Sequence, residues 1–144
     1  MKIRNKELYH GAALLRIVED KSFTALNSVR GEYGHYLLNA DRHLFVKVTT
    51  KAAPPWQFSY NRDDIAKIAR VLGSGKVFIC LVCGRMAVCA LNQAEMQHLL
   101  QMSAANQQWI RVQSPKGGSC HMSGSNGKLK RAIARNAFPK KVLA

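Results

Sequence analysis

The residues best suited to bind a metal are four cysteines and five histidines. Cys80-Leu-Val-Cys83-Gly84 has the CxxCG spacing of a zinc knuckle. Cys89, Cys120, His98 and His121 are the candidates to complete four ligands, because zinc takes thiolate and imidazole donors in a tetrahedral array. The neighbouring residues argue against this chemistry. Cys80 and Cys83 lie inside an almost wholly apolar run, and side chains three apart on a strand point to opposite faces. No second CxxC occurs. The expectation is buried core thiols and no bound zinc.

Acid chemistry is limited to eight carboxylates: Glu7, Glu19, Asp20, Glu32, Asp41, Asp63, Asp64 and Glu95. Asp63 and Asp64 suit the first turn of a helix, where the dipole favours negative charge, and Glu95 suits a cap. Glu19, Glu32 and Asp41 remain as possible metal-binding acids, and two-metal phosphodiester chemistry needs at least two that converge. Ser119, Cys120 and His121 are sequence neighbours, which does not define a triad, since triads are assembled in space. His35 and His43 flank an expected hairpin and could meet across it. Gly124-Ser-Asn-Gly127-Lys128 has GxxG spacing, but a P-loop needs four residues between its glycines and Ser or Thr after its lysine. Leu129 follows here, which excludes P-loop nucleotide hydrolysis. Backbone N–H groups at this turn remain able to face one phosphate.

Charge is the most one-sided feature. The formal net charge is +14. All the acidic residues precede residue 96, whereas Arg111, Lys116, Lys128, Lys130, Arg131, Arg135, Lys140 and Lys141 follow it with no acid among them. Such a surface attracts a polyanion. Nucleic acid is the first candidate partner and an acidic protein surface is another; an anionic membrane fits less well, because the apolar stripe near the C-terminus is narrow and lacks Trp. These eight residues are the expected phosphate contacts. Trp56, Phe58 and Tyr60, alternating on one strand, could stack bases if their face is open. No run approaches the ~20 apolar residues of a membrane span, and the first residues lack a signal-peptide core. The expected compartment is the cytoplasm, with reduced thiols.

These groups must be held by a scaffold whose elements can be read in order. Leu8, Ala12, Leu15 and Val18 predict a helix over 6–19 with one buried stripe. Strands are expected over 34–39, 43–50 and 56–60, the prolines after residue 53 ending the second of them. Asn61, Asp63 and Asp64 open a helix over 62–72. The apolar runs 77–83 and 87–91 predict strands buried on both faces. A third helix follows Asn92, with strands over 109–113 and 119–123. Leu129, Ile133 and Ala137 at spacing four predict a basic C-terminal helix over 126–138, docked on the domain. The order α-β-β-β-α-β-β-α-β-β-α describes a single α+β domain, its mixed or antiparallel sheet flanked by helices.

Over residues 6–83 the order helix, three strands, helix, strand resembles the core of the restriction-endonuclease-like (PD-(D/E)xK) fold. That family carries an acid on its second strand and an acid-x-Lys on its third, gathered around Mg²⁺. Lys47 stands mid-strand here, but Phe45 occupies the acid position two residues before it. The resemblance implies a degenerate or active metal-dependent nuclease around Lys47, with Asp41 or Glu19 as the acid, as one alternative to a nucleic-acid-binding module; a regulator or inhibitor whose basic face meets an acidic protein partner is the other.

Overall fold

The computed structural model describes residues 1–103, 106–115 and 118–144. Its elements are α1 (Asn5–Val18), β1 (Leu26–Ser28), β2 (His35–Leu38), β3 (Arg42–Thr49), β4 (Trp56–Tyr60), α2 (Arg62–Val71), β5 (Lys76–Cys83), β6 (Ala87–Leu91), α3 (Gln93–Leu99), β7 (Gln108–Gln113), β8 (His121–Gly124), β9 (Gly127–Lys128), a 3-10 turn (Arg135–Ala137) and α4 (Lys140–Leu143). The chain is α+β and folds into one domain around two sheets.

The first sheet has the order β1-β2-β3-β5-β6, and the second β4-β7-β8-β9. β5 is buried at every position after Lys76, as its unbroken apolar run requires of a central strand. It pairs in parallel with β3, so the chain must cross over between them; β4 and α2 make that crossing. On one face of the first sheet, Leu44, Val46, Phe78, Cys80 and Val82 meet Ala13 and Ile17 of α1, with Phe138, Val142 and Leu143. On the other face, Ile79, Leu81 and Cys83 meet α2, α3 and the inner face of the second sheet. The second sheet turns its remaining face to solvent.

The three strands expected between the first two helices are present, but they divide between the sheets. Residues 56–60 pair with β7 instead of extending the β2–β3 meander, and β1 completes that meander. A larger difference lies in α1. The stripe expected inside is exposed, and His10, Ala13 and Ile17 are buried in its place. Burying His10 is tolerable because both ring nitrogens have partners: the hydroxyls of Tyr33 at 3.3 Å and Tyr36 at 3.0 Å.

Burial, and secondarily Lys6, hold the His10 imidazole below its ordinary range. The folded protein therefore binds protons at this site less readily than the unfolded chain. The stability is complete above the unfolded pKa of about 6.5 and is lost as pH falls through the lower folded value. The thermal midpoint is expected to fall between pH 7.5 and pH 5.5, and circular dichroism melts of a His10→Gln variant should show a flatter dependence.

The C-terminal helix expected over 126–138 does not form. Gly127 and Lys128 pair with β8, the N–H groups of Ile133 and Cys120 each donate to the other's carbonyl at 2.8 Å, and only a 3-10 turn precedes Pro139. The cause lies in the pattern itself. A spacing of four also places Leu129, Ile133 and Ala137 on one side of an extended chain, whose side chains alternate. Extension lets Ile133 reach one core and Phe138 the other.

Candidate nucleic-acid interface

The second sheet sorts its side chains by strict alternation. Trp56, Phe58 and Tyr60 of β4 and Ile110 and Val112 of β7 point inward, leaving Gln57, Ser59, Trp109, Arg111 and Gln113 outside. Register then aligns one row across all four strands: Gln57 opposite Arg111, Arg111 opposite Ser123, and Ser123 opposite Lys128. Trp109 lies opposite Ser59 and His121 opposite Gln113. The Arg111 guanidinium donates to Gln57 Oε1 at 3.3 and 3.0 Å and stands 5.8 Å from the centroid of the Trp109 ring. None of the four strands contains an acidic residue. A partly exposed indole beside a fixed guanidinium on an acid-free sheet can stack a base and hold the adjoining phosphate.

The chain matches no protein family, no characterised protein and no solved structure. The chemistry of its own residues carries the functional reading.

Stacking by the β4 aromatics required an open face, and that face is closed. Trp56, Phe58 and Tyr60 are 0%, 3% and 1% exposed, filling the space between the sheets. Trp109 takes their place on the open side. The signal for it was the alternation of Trp109, Arg111 and Gln113 with Ile110 and Val112.

The expected phosphate contacts fall into groups. Arg111 and Lys128 share the row described, and Lys130 and Arg131 continue from Lys128 as exposed residues. Arg135 is engaged within the protein, donating to Ser114 Oγ at 2.6 Å and to the Met86 carbonyl at 3.2 Å. Lys140 pairs with Asp20 at 2.9 Å and Lys141 with Glu95 at 2.7 Å. Lys116 lies outside the described residues.

Lys47, Asp41 and Glu19 are not brought together. Lys47 lines a cavity of about 350 Å³ between β3, β4 and α2, where its ammonium pairs with Asp64 at 3.1 Å and sits 4.7 Å from the centroid of the Tyr60 ring. Asp41 pairs with Arg42 at 2.7 Å in the turn before β3, about 20 Å of strand away from Lys47. Glu19 ends α1, across the first sheet from Lys47. At the acid position, Phe45 stacks on His35 with ring centroids 4.0 Å apart. β2 carries no acid either. The converging carboxylates that a Mg²⁺-dependent nuclease needs are therefore not supplied around Lys47. Among the described residues, no group of three or more His, Cys, Asp and Glu could hold a metal ion.

Other candidates do meet. His35 Nε2 lies 2.9 Å from His43 Nδ1, while His35 Nδ1 contacts the Glu32 carboxylate. That hydrogen bond from His35 holds the Glu32 carboxyl below its ordinary range, with Arg70 nearby in the same sense. Cys80 faces α1, whereas Cys83, Cys89 and Cys120 lie in the other core. Burial pushes the Cys80 thiol up, so it stays protonated.

Tyr60 has a cost that can be measured. Its hydroxyl is buried without a hydrogen-bond partner among the described residues. An unmade buried hydrogen bond costs about 1–3 kcal/mol. Tyr60→Phe is expected to raise stability by about 1 kcal/mol, read as a thermal midpoint a few degrees higher.

Proposed function

We propose that this protein is a cytoplasmic nucleic-acid-binding module that takes single strands on the outer face of its second sheet. The observation that carries this reading is Trp109 beside Arg111 in an acid-free row ending at Lys128. The net charge of +14 supports a polyanionic partner, and an open sheet face with an aromatic side chain suits unpaired bases better than a duplex. Gln57 and Arg111, the side chains of the row suited to reading base edges, are hydrogen-bonded to each other, so the expected binding is tolerant of sequence. Four free cysteines suit a reducing compartment, and no helix is long and apolar enough to cross a membrane.

Titration of fluorescent single-stranded RNA and DNA against salt is the direct test. About four phosphate contacts at roughly 0.7 counterions each would weaken binding about 50-fold between 50 and 200 mM salt. No binding at about 50 mM salt would remove the proposal. So would an acidic protein that occupies the face and that polynucleotide cannot displace.

A further inference from the structure

The side of α1 turned away from the first sheet is apolar and bare. Leu8, Leu15 and Val18 are 49%, 56% and 43% exposed. Gly11 and Ala12, between the leucines, are exposed too, and nothing lies within 4 Å of where a Cβ on Gly11 would sit. At about 100° per residue, Leu8 and Leu15 lie opposite the buried line of His10, Ala13 and Ile17. The helix therefore has two apolar sides, and the fold uses one.

The unused side is complementary to itself. Reversing the helix about the point between Gly11 and Ala12 exchanges Leu8 with Leu15, Gly11 with Ala12, and Arg4 with Glu19. A second α1 laid antiparallel would bring Leu8 of one copy to Leu15 of the other. The two smallest residues would meet where the helices cross, allowing the backbones to approach closely. At each end Arg4 would reach Glu19 of the other copy. Both residues are exposed, and neither has an ion-pair partner among the described residues. A parallel pair would instead set Arg4 against Arg4 and Glu19 against Glu19, so charge selects the antiparallel arrangement.

We infer that the protein forms an antiparallel, two-fold homodimer through α1, with Leu8 and Leu15 at its centre and Arg4–Glu19 pairs at its ends. A closed two-fold contact uses the same patch on both copies, as this stripe requires. One short helix offers less than the roughly 800 Å² per partner of a standard interface, so the dimer is a weak one with micromolar dissociation. Two chains of +14 repel each other, and salt screens that repulsion. Salt screens the Arg4–Glu19 pairs as well, so dimerisation depends on salt far less steeply than polyanion binding. α1 lies across the first sheet from the second, so pairing leaves the outer face of the second sheet free in each copy.

Sedimentation equilibrium of the full chain, without nucleic acid, tests this. The average mass should rise from 16.0 kDa towards twice that value with concentration. Leu8→Glu should weaken association at least tenfold without lowering the thermal midpoint, and Leu15→Gln is a second, milder probe. Arg4→Glu and Glu19→Arg should each weaken it about threefold to thirtyfold, and the double exchange should restore it. A monomeric mass at every concentration overturns the inference. So does a dimer indifferent to Leu8→Glu and Leu15→Gln, or a double exchange that fails to restore association.

Discussion

Trp109→Ala is expected to weaken single-strand binding by about 5- to 150-fold, the range for loss of one stacked base, while leaving the thermal midpoint nearly unchanged. The indole is partly exposed on the open side of β7, so its removal opens no cavity between the sheets. Arg111→Gln should act differently. Losing one phosphate contact lowers the slope of log affinity against log salt by about 0.7. The guanidinium also lies 5.8 Å from the Trp109 ring centroid, so the two substitutions should combine less than additively. Trp56 is the control. Its Nε1 donates to the Lys51 carbonyl at 3.0 Å and its ring is fully buried, so Trp56→Phe should lower stability and leave the salt slope alone. If Arg111→Gln left the slope unchanged and Trp109→Ala left the affinity unchanged, the interface would lie elsewhere.

Local chemistry wrote much of this fold openly. The cap at Asn61 accepts from the Asp64 N–H at 2.8 Å, and its helix begins where the acids said it would. β5 needed only its unbroken apolar run. The His35–His43 contact was foreseeable because the two residues flank a hairpin, whose strands bring them together as diagonal neighbours on one face, His35 lying opposite Phe45. What stayed hidden depends on distant partners. Nothing within residues 56–60 says that the strand pairs with Val112 and its neighbours and leaves the meander. That pairing decides which aromatics are core and which are surface, so the aromatic on the open face is Trp109 of β7 and none of those on β4. α1 misled for another reason. Both its sides are apolar, and hydrophobicity alone ranks His10 below Leu8 although the tyrosine hydroxyls make His10 the buried one. In Lys47 the strand position was legible, but its partner Asp64 comes from the helix beyond the next strand.

Removing residues 126–144 is expected to abolish cooperative folding, a larger effect than any surface change. The segment is irregular for most of its length, yet it fastens to both sides of the first sheet. Ile133 is buried with β7 and β8, whereas Phe138, Val142 and Leu143 are buried against α1 and β3. Truncating one buried aromatic costs about 3–5 kcal/mol, and a whole domain holds only about 5–15. Arg42 adds to the loss. It is 7% exposed, and its Nη1 donates to the Val142 and Ala144 carbonyls at 3.1 and 2.8 Å. Without the tail that guanidinium keeps only Asp41 among these partners, at the edge of an opened core. The single substitution Phe138→Ala isolates the packing from the charge, since it removes no basic residue. Its thermal midpoint should fall by about 10 °C or more, while polynucleotide affinity measured well below that midpoint stays within about twofold. A charged arm lying on the surface would give the reverse: an unchanged melt for both variants and weaker binding only for the truncated chain.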